Sequence, residues 1–433
     1  MLKSVSFKNF KSYAQAQLPL AGLTVLLGAN ASGKSNAIEA LRLLAWLAEG
    51  RRLDYLFQAM RDREVDLRGS PLELSHGGGS ICLGCTLGDD VGEELVLDLS
   101  LRVAEDGFRI IEEQLSSSRE NLPLYKVIEP ASPFTNQLQV SYNNFARGPN
   151  KPQIVAIDQQ AVFTQLTTPA RFDAKDQRSQ VEIPFAAKEI QTALDSVLFL
   201  DPVPRQMREY VSKIDHKKLR GDGANLSAVL RNLCNGEGKK EDVLGFIRSL
   251  PEQDITDISF LDAPDGYVMV QLHESFGGAN RPVSARLLSD GTLRALAIAA
   301  ALLSAGGRAL VVIEEIDNGV HPSRARALLE HIRAIADQRR LRVLITTHNP
   351  ALLDAIPADS LPDVVVCYRD PNDGLSRLRR LGDMDEYPEI VARGPLGRVV
   401  ATNLLDRIIK NPVSHDQRVK QAEAFVASLE AKP

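Results

Sequence analysis

The chain has 433 residues, 44% of them hydrophobic and 25% charged, with 51 Lys and Arg against 56 Asp and Glu for a net charge of −5. These values suit a globular protein of up to about three domains, exclude wholesale disorder and give no global attraction to nucleic acid, leaving only local basic patches. Four cysteines, Cys82, Cys85, Cys234 and Cys367, are too few for a disulfide framework in so long a chain, and Cys82-x-x-Cys85 lacks the second pair of ligands a zinc site needs.

The N-terminal segment carries no signal-peptide run. The most apolar stretch, 295–313, is broken by Gly306-Gly307-Arg308 and reads as a helix followed by a strand, so no membrane span is expected and the protein should be soluble and cytoplasmic. Residues 1–27 alternate apolar and polar around Leu2, Val5, Phe7, Phe10, Leu18, Leu20, Leu23 and Val25, which predicts two or three strands. The last of these, Leu23-Thr24-Val25-Leu26-Leu27, is short and branched enough to be buried. It turns through Gly28-Ala29-Asn30-Ala31-Ser32-Gly33-Lys34-Ser35 into a helix over 36–49, where Ile38, Leu41, Leu44 and Ala45 recur at helical spacing. The turn matches G-x-x-x-x-G-K-[ST] at every fixed position, in the strand-then-helix context the motif requires. Backbone N–H groups of such a loop, with the positive end of the following helix, cradle phosphate oxygens. Gly28 and Gly33 let the backbone approach the anion, Lys34 would reach the β- and γ-phosphates, and the Ser35 hydroxyl would ligate Mg²⁺.

A charged helical segment over 51–64 reads as a solvated face. From 71 to 115 the pattern is an antiparallel meander with strands at 80–87, 94–104 and 108–111 and turns at 88–92 and 105–107. Residues 116–180 are polar and turn-rich and say little beyond a strand-like run over 154–157. Helices follow at 188–198, 206–214, 225–233 and 241–250, then a strand pair at 255–261 and 267–275. The basic pairs Lys217-Lys218, Lys239-Lys240, Arg339-Arg340 and Arg379-Arg380 read as solvated faces or, alternatively, as part of a nucleic-acid groove.

The stretch from 286 onward supplies the rest of a nucleotide site. Leu288-Ser289-Asp290-Gly291-Thr292 opens an apolar helix over 293–304, and Ser289 is either an ordinary N-cap or part of a second anion site at that helix start. Leu310-Val311-Val312-Ile313 is a second buried strand ending in Glu314-Glu315; carboxylates there can hold Mg²⁺ and orient a water, the alternative being a solvated strand end. A helix from 322 to 338 leads to a third strand over 341–345, which ends in Thr346-Thr347-His348. His348 can donate to a γ-phosphate or be structural, and His321 in Gly319-Val320-His321-Pro322 reads as a loop residue. Two anion-binding helix ends are redundant within one chain; a head-to-tail dimer removes the redundancy.

GANASGKS, LSDGT, LVVIEEIDNGVHP and TTHNP, in this order, resemble the ABC-type AAA-family ATPase head of the RecF, SMC and OLD group, and more narrowly the compact bacterial ATPases encoded beside anti-phage effectors. The resemblance covers residues 1–50 and 285–370. It implies that Asn30, Gly33, Lys34, Ser35 and Asn36 bind ATP, that Ser35 and Glu314 serve Mg²⁺, and that Glu315 is the general base or water-orienting group. It further implies that His348 is the γ-phosphate switch, that Ser289 and Gly291 cap the ATP of the opposite subunit, and that Asp317 begins a dimer-contacting loop. Two positions depart from the family: Glu314 stands where Asp is usual, and LSDGT where transporters have LSGGQ. The magnesium-contacting glutamine of the family has only Gln159 and Gln160 as candidates.

The fold expected is α/β, an ABC-type P-loop ATPase head with a mixed central sheet, an antiparallel β lobe and an inserted helical lobe. Residues 1–115 and 286–433 form the head and 116–285 the inserted middle region. The expected function is an ATP- and Mg²⁺-dependent ATPase, an ATP-dependent homodimer that regulates a separate effector, a nuclease in phage defence, with no membrane partner. The alternatives are a DNA-repair or chromosome-maintenance ATPase that clamps DNA and, ranked below it, a transporter subunit.

Overall fold

The computed structural model describes residues 1–88, 92–104, 107–131, 135–248, 255–276, 279–318 and 324–410. Its centre is a sheet of apolar runs that have no face to offer water. With strands numbered along the chain, β3 (Leu23–Leu27), β15 (Leu310–Ile313), β16 (Arg342–Thr347) and β17 (Val364–Arg369) lie parallel, joined at one edge by the parallel β10 (Leu198–Leu200) and at the other by the antiparallel β18 (Ser376–Arg380). The order is β10-β15-β16-β3-β17-β18, so the sheet is mixed, as the sequence predicts. Successive side chains go to opposite faces. Leu26, Leu310, Val312, Leu344 and Val365 enter one core together with helix α1 (Lys34–Ala48), while Val25, Val311, Ile313, Val343, Ile345 and Val366 enter a second.

The first core is roofed by an antiparallel sheet of eight strands: β1 (Leu2–Phe10), β2 (Tyr13–Pro19), β4 (Ser80–Gly88), β5 (Glu94–Ala104), β6 (Gly107–Ser117), β7 (Tyr125–Glu129), β8 (Gln137–Tyr142) and β9 (Gln153–Ile157), ordered β2-β1-β4-β5-β6-β7-β8-β9. The segment over 51–64 contains α2 (Leu53–Arg61), whose Leu53, Leu56, Ala59 and Met60 are buried, so only one of its faces is solvated. The sheet runs on past residue 115: β9 holds the strand-like run over 154–157, while β7 and β8 occupy polar, turn-rich sequence that predicts neither. Their burial alternates, as for β8, whose Leu138, Val140 and Tyr142 point inward. A long helix, α3 (Gln177–Asp195), shares this core through Ile183, Ala187, Ile190 and Leu194. It ends before Leu198, which starts β10 instead of closing the helix expected over 188–198.

The second core holds a small sheet of β11 (Val211–Ser212), β12 (Ile255–Ala263), β13 (Tyr267–Phe276) and β14 (Ala279–Ser284), with α4 (Leu226–Arg231), α5 (Lys240–Arg248), α6 (Asp290–Ser304) and α7 (Ala325–Arg339). The helix expected over 206–214 is a single turn, Pro204–Met207; the chain then becomes extended, and Val211 and Ser212 pair with Val268 and Tyr267. Cross-strand partners outweighed helical propensity there. The loop Gly319-Val320-His321-Pro322, parts of the turns at 88–92 and 105–107, the end of the helix at 241–250 and the tail over 411–433 lie outside the described residues. Among the described residues no helix is long and apolar enough to cross a membrane, and no cluster of His, Cys, Asp or Glu could hold a metal ion on its own.

Candidate nucleotide site

All five strands that run parallel in the central sheet end at the same edge, and three of those ends meet. β3 delivers the loop 28–35, β15 delivers Glu314 and Glu315, and β16 delivers Thr346, Thr347 and His348; together they line one cavity of ≈ 270 Å³. Of the residues expected to form the site, Asn30, Gly33, Lys34, Ser35, Asn36, Glu314, Glu315 and His348 all face this cavity. Ser289 and Gly291 do not. Ser289 is the N-cap of α6, its Oγ accepting the Thr292 N–H at 3.1 Å, and Arg208 holds the adjoining turn by donating to Leu288 O at 2.9 Å and Asp290 Oδ1 at 2.6 Å. Gln159 and Gln160 lie elsewhere: Gln160 Nε2 donates to Gly50 O at 2.8 Å beyond the far end of α1, and Gln159 is buried against Phe108 O.

The loop is braced from behind. Tyr13 of β2 donates to Gly33 O at 3.1 Å, Cys367 of β17 donates to Ser32 O at 3.3 Å, and Ser376 of β18 donates to the same carbonyl at 2.6 Å. With these carbonyls turned back, the helix start faces the cavity with the N–H groups that have no partner within a helix. The bracing leaves no room for side chains. A Cβ on Gly28 would sit 2.3 Å from Cys367 O, and one on Gly33, where φ is 117°, would sit 2.4 Å from Ser376 Oγ. Lys34 Nζ donates to Gly28 O at 2.5 Å and Ala29 O at 3.0 Å, and burial lowers its pKa from the ordinary lysine value.

The acidic strand end is held as firmly. The Glu314 N–H donates to Leu200 O of β10 at 3.0 Å, and Glu314 Oε1 takes a hydrogen bond from Arg42 of α1 at 2.5 Å. Burial raises the Glu314 pKa while Arg42 opposes the rise. Glu315 adopts the left-handed region, φ 47°, rare for a residue with a Cβ. Its carboxylate accepts from Asn318 Nδ2 at 2.6 Å. His348 has a side chain 57% exposed, and its Nδ1 lies 4.0 Å from Asp317 Oδ2, whose carboxylate is buried behind it.

Two arginines were not evident from the sequence. Arg68 lines the cavity and is held by Glu39 of α1 through Nε at 2.7 Å, while Lys11 pairs with the same carboxylate. Arg369, the last residue of β17, also lines it and donates to Ala31 O at 3.1 Å. Neither belongs to a motif, because their place depends on strand order. Cys82 and Cys85 lie on β4, away from this cavity, and burial pushes the Cys85 thiol up to about 12. Lys239, Lys240, Arg379 and Arg380 are paired with Glu237, Asp257, Glu386 and Asp363.

The donor set suits a magnesium nucleotide. Ser35, Glu314 and Glu315 offer hard oxygen atoms, and the Ser32 Oγ and Asp317 Oδ1 atoms beside the cavity are buried without a hydrogen-bond partner. Residues 23–354, from β3 through the short helix Pro350–Asp354 that follows β16, match the AAA_21 family, described as "AAA domain, putative AbiEii toxin, Type IV TA system". The chain belongs to this AAA family. The AAA ATPase is 46% identical over 69 residues to the DNA replication and repair protein RecF of Gloeobacter violaceus, a match that covers 16% of each chain. It is 31% identical over 128 residues to the RecF of Trichormus variabilis, covering 29% of each. An ATP/GTP phosphatase of Helicobacter pylori is 22% identical over 362 residues, 82% of this chain and 87% of the relative. The ATPase thus matches less than a third of either RecF and most of the phosphatase. Among solved structures, the SMC head domain from Thermotoga maritima aligns over 88% of this chain and 98% of that one, at 13% identity and a TM-score of 0.42. An SmcHead bound to the C-winged helix domain of ScpA aligns over 87% and 97%, at 12% identity and a TM-score of 0.48. The family match bears out the AAA-family ATPase that the ordered motifs led one to expect.

Proposed function

We propose that the chain hydrolyses ATP in a Mg²⁺-dependent reaction, closes as an ATP-dependent homodimer in the cytoplasm, and through that cycle regulates a separate effector, a nuclease of anti-phage defence. The observation that carries the ATPase part is the meeting of Lys34, Glu315 and His348 on one cavity. In-line attack of water needs positioning and neutralisation of charge more than covalent help. Lys34 exchanges its contacts with Gly28 O and Ala29 O for the β- and γ-phosphates, Glu315 orients the attacking water, and His348 donates to a γ-phosphate oxygen. Ser35 and Glu314 would hold Mg²⁺, which when bound neutralises charge on the β- and γ-phosphate oxygens.

Ser289 and Gly291 are not among the residues that line this cavity, which is compatible with their serving the nucleotide of a second copy. The effector reading rests on the likeness of the ordered motifs to compact defence ATPases. The test is a set of variants. Glu315→Gln should bind ATP, turn it over slowly and double its mass by light scattering; a monomer under saturating ATP overturns the dimer. Ser289→Arg should be inactive alone and regain part of its turnover when mixed with Lys34→Ala, and no regain under demonstrated subunit exchange overturns the shared site. Co-expression with the neighbouring gene's product, followed by nuclease assays with and without ATP, decides the effector.

A second reading, a DNA-repair or chromosome-maintenance ATPase that clamps DNA, is favoured by the identity to proteins named for DNA replication and repair. A DNA mobility shift that weakens steeply with salt would support it.

A further inference from the structure

The Glu314 carboxylate stands at the cavity on a long side chain, and the structure shows what holds it there. Its Oε1 lies 2.5 Å from Arg42 Nη2, a pair of which only 15% of the arginine and 22% of the glutamate side chain is exposed. Arg42 is seven residues beyond Ser35 on α1, two helical turns along the same face and about 10 Å farther from the phosphate loop. The Glu314 carboxylate, which lines the cavity together with Ser35, is thus anchored on the far side to α1 at Arg42. Arg42 is itself held, because its guanidinium is stacked 4.4 Å from the centre of the Phe199 ring on β10 and flanked by Asp66 Oδ2 at 3.8 Å. On the other side, the Glu314 backbone is tied to Leu200 of the same strand.

We propose that Arg42 is a positioning residue for the metal site: its ion pair fixes where the Glu314 carboxylate stands relative to Ser35, and so sets how tightly the site takes Mg²⁺. This rests on the ATPase reading above. An outer partner of a metal-binding carboxylate typically changes metal affinity by roughly 10-fold to 100-fold. A residue that acts only through position 314 does so only while that side chain reaches it.

The experiment is a double-mutant cycle read by nucleotide binding, not by turnover. The Mg²⁺ concentration for half-maximal binding of a fluorescent ATP analogue is measured for the unaltered chain, Arg42→Met, Glu314→Asp and the double variant, with melting curves confirming that each is folded. Arg42→Met should raise the midpoint about tenfold in the native background and by less than about twofold in the Glu314→Asp background, whose shorter arm cannot reach the guanidinium. Equal shifts in both backgrounds, or no shift in the native one, overturn the proposal. If Arg42→Met does not fold, Arg42→Lys is read by the same cycle, because the single-point ammonium lacks the planar fork that stacks on Phe199 while reaching Glu314. A native chain that binds the analogue with no dependence on Mg²⁺ would instead remove the ATPase reading beneath it.

Discussion

Thr346 grips the backbone of Glu315 from the neighbouring strand: its Oγ1 accepts the Glu315 N–H at 2.8 Å, and its carbonyl accepts the N–H of Ile316 at 3.2 Å. The proposed water-orienting residue and the strand that carries His348 are thus fastened to each other just where Glu315 holds its left-handed conformation. Thr346→Val keeps the shape and removes the acceptor, leaving a backbone N–H unpaired at a cost of about 1–3 kcal/mol. Turnover should fall about tenfold or more while ATP binding changes little, which steady-state kinetics alongside a binding titration will resolve.

Lys34→Ala removes the cation proposed to reach the phosphates. Binding of ATP should weaken and turnover should fall by at least about a hundredfold, with the melting temperature of the nucleotide-free protein nearly unchanged. Retained activity would detach the loop from the reaction.

Ser376→Ala tests the bracing behind the loop. The Ser376 side chain is buried, donates to Ser32 O at 2.6 Å and sits 2.7 Å from Ser12 Oγ. Its loss should cost about 1–3 kcal/mol of stability by chemical denaturation and weaken ATP binding as well, since the carbonyl it restrains lies on the phosphate loop. A loss of stability with unaltered ATP affinity would make the brace purely structural.

Glu113 gives the molecule a dependence on pH remote from the nucleotide. It is 2% exposed on β6 and accepts from Tyr125 Oη at 2.6 Å, Val162 N at 2.7 Å and Phe163 N at 2.6 Å. Burial, the largest influence, outweighs these hydrogen bonds and raises its pKa from 4.5 to about 7. Cys85 is the other ionisable group that bears on this corner, through Tyr125. Because the folded value lies above the unfolded one, the stabilisation is complete below pH 4.5 and is lost as the pH rises through about 7, a change of about 3 kcal/mol. Melting temperature measured from pH 5 to pH 8 should show this decline, and Glu113→Gln should flatten it.

The sequence made plain what is local and repeated. A buried strand, a glycine-flanked turn and a helix are written in residues 23–46, and the strand ends at Glu314-Glu315 and His348 are legible as apolar runs that stop abruptly at polar residues. It did not disclose what depends on pairing. β7 and β8 lie in polar sequence because one of their faces is wet, and β11 looked helical because its partners, Val268 and Tyr267, are more than fifty positions away. Arg42, Arg68 and Arg369 were unremarkable charges until strand order brought them to the nucleotide edge. Gln159 and Gln160 were misleading for the same reason: the strand before them, β9, is the outer edge of the roof and not part of the central sheet.

The position of β3 has a consequence for how the molecule is made. Its two neighbours, β16 and β17, are the last parallel strands to be translated. A nascent chain therefore emerges with its loop 28–35 on an apolar strand that lacks both flanks until residues 342–369 have followed it. Such non-local closure is intrinsically slow and leaves strand edges open to stray pairing while the chain is being made.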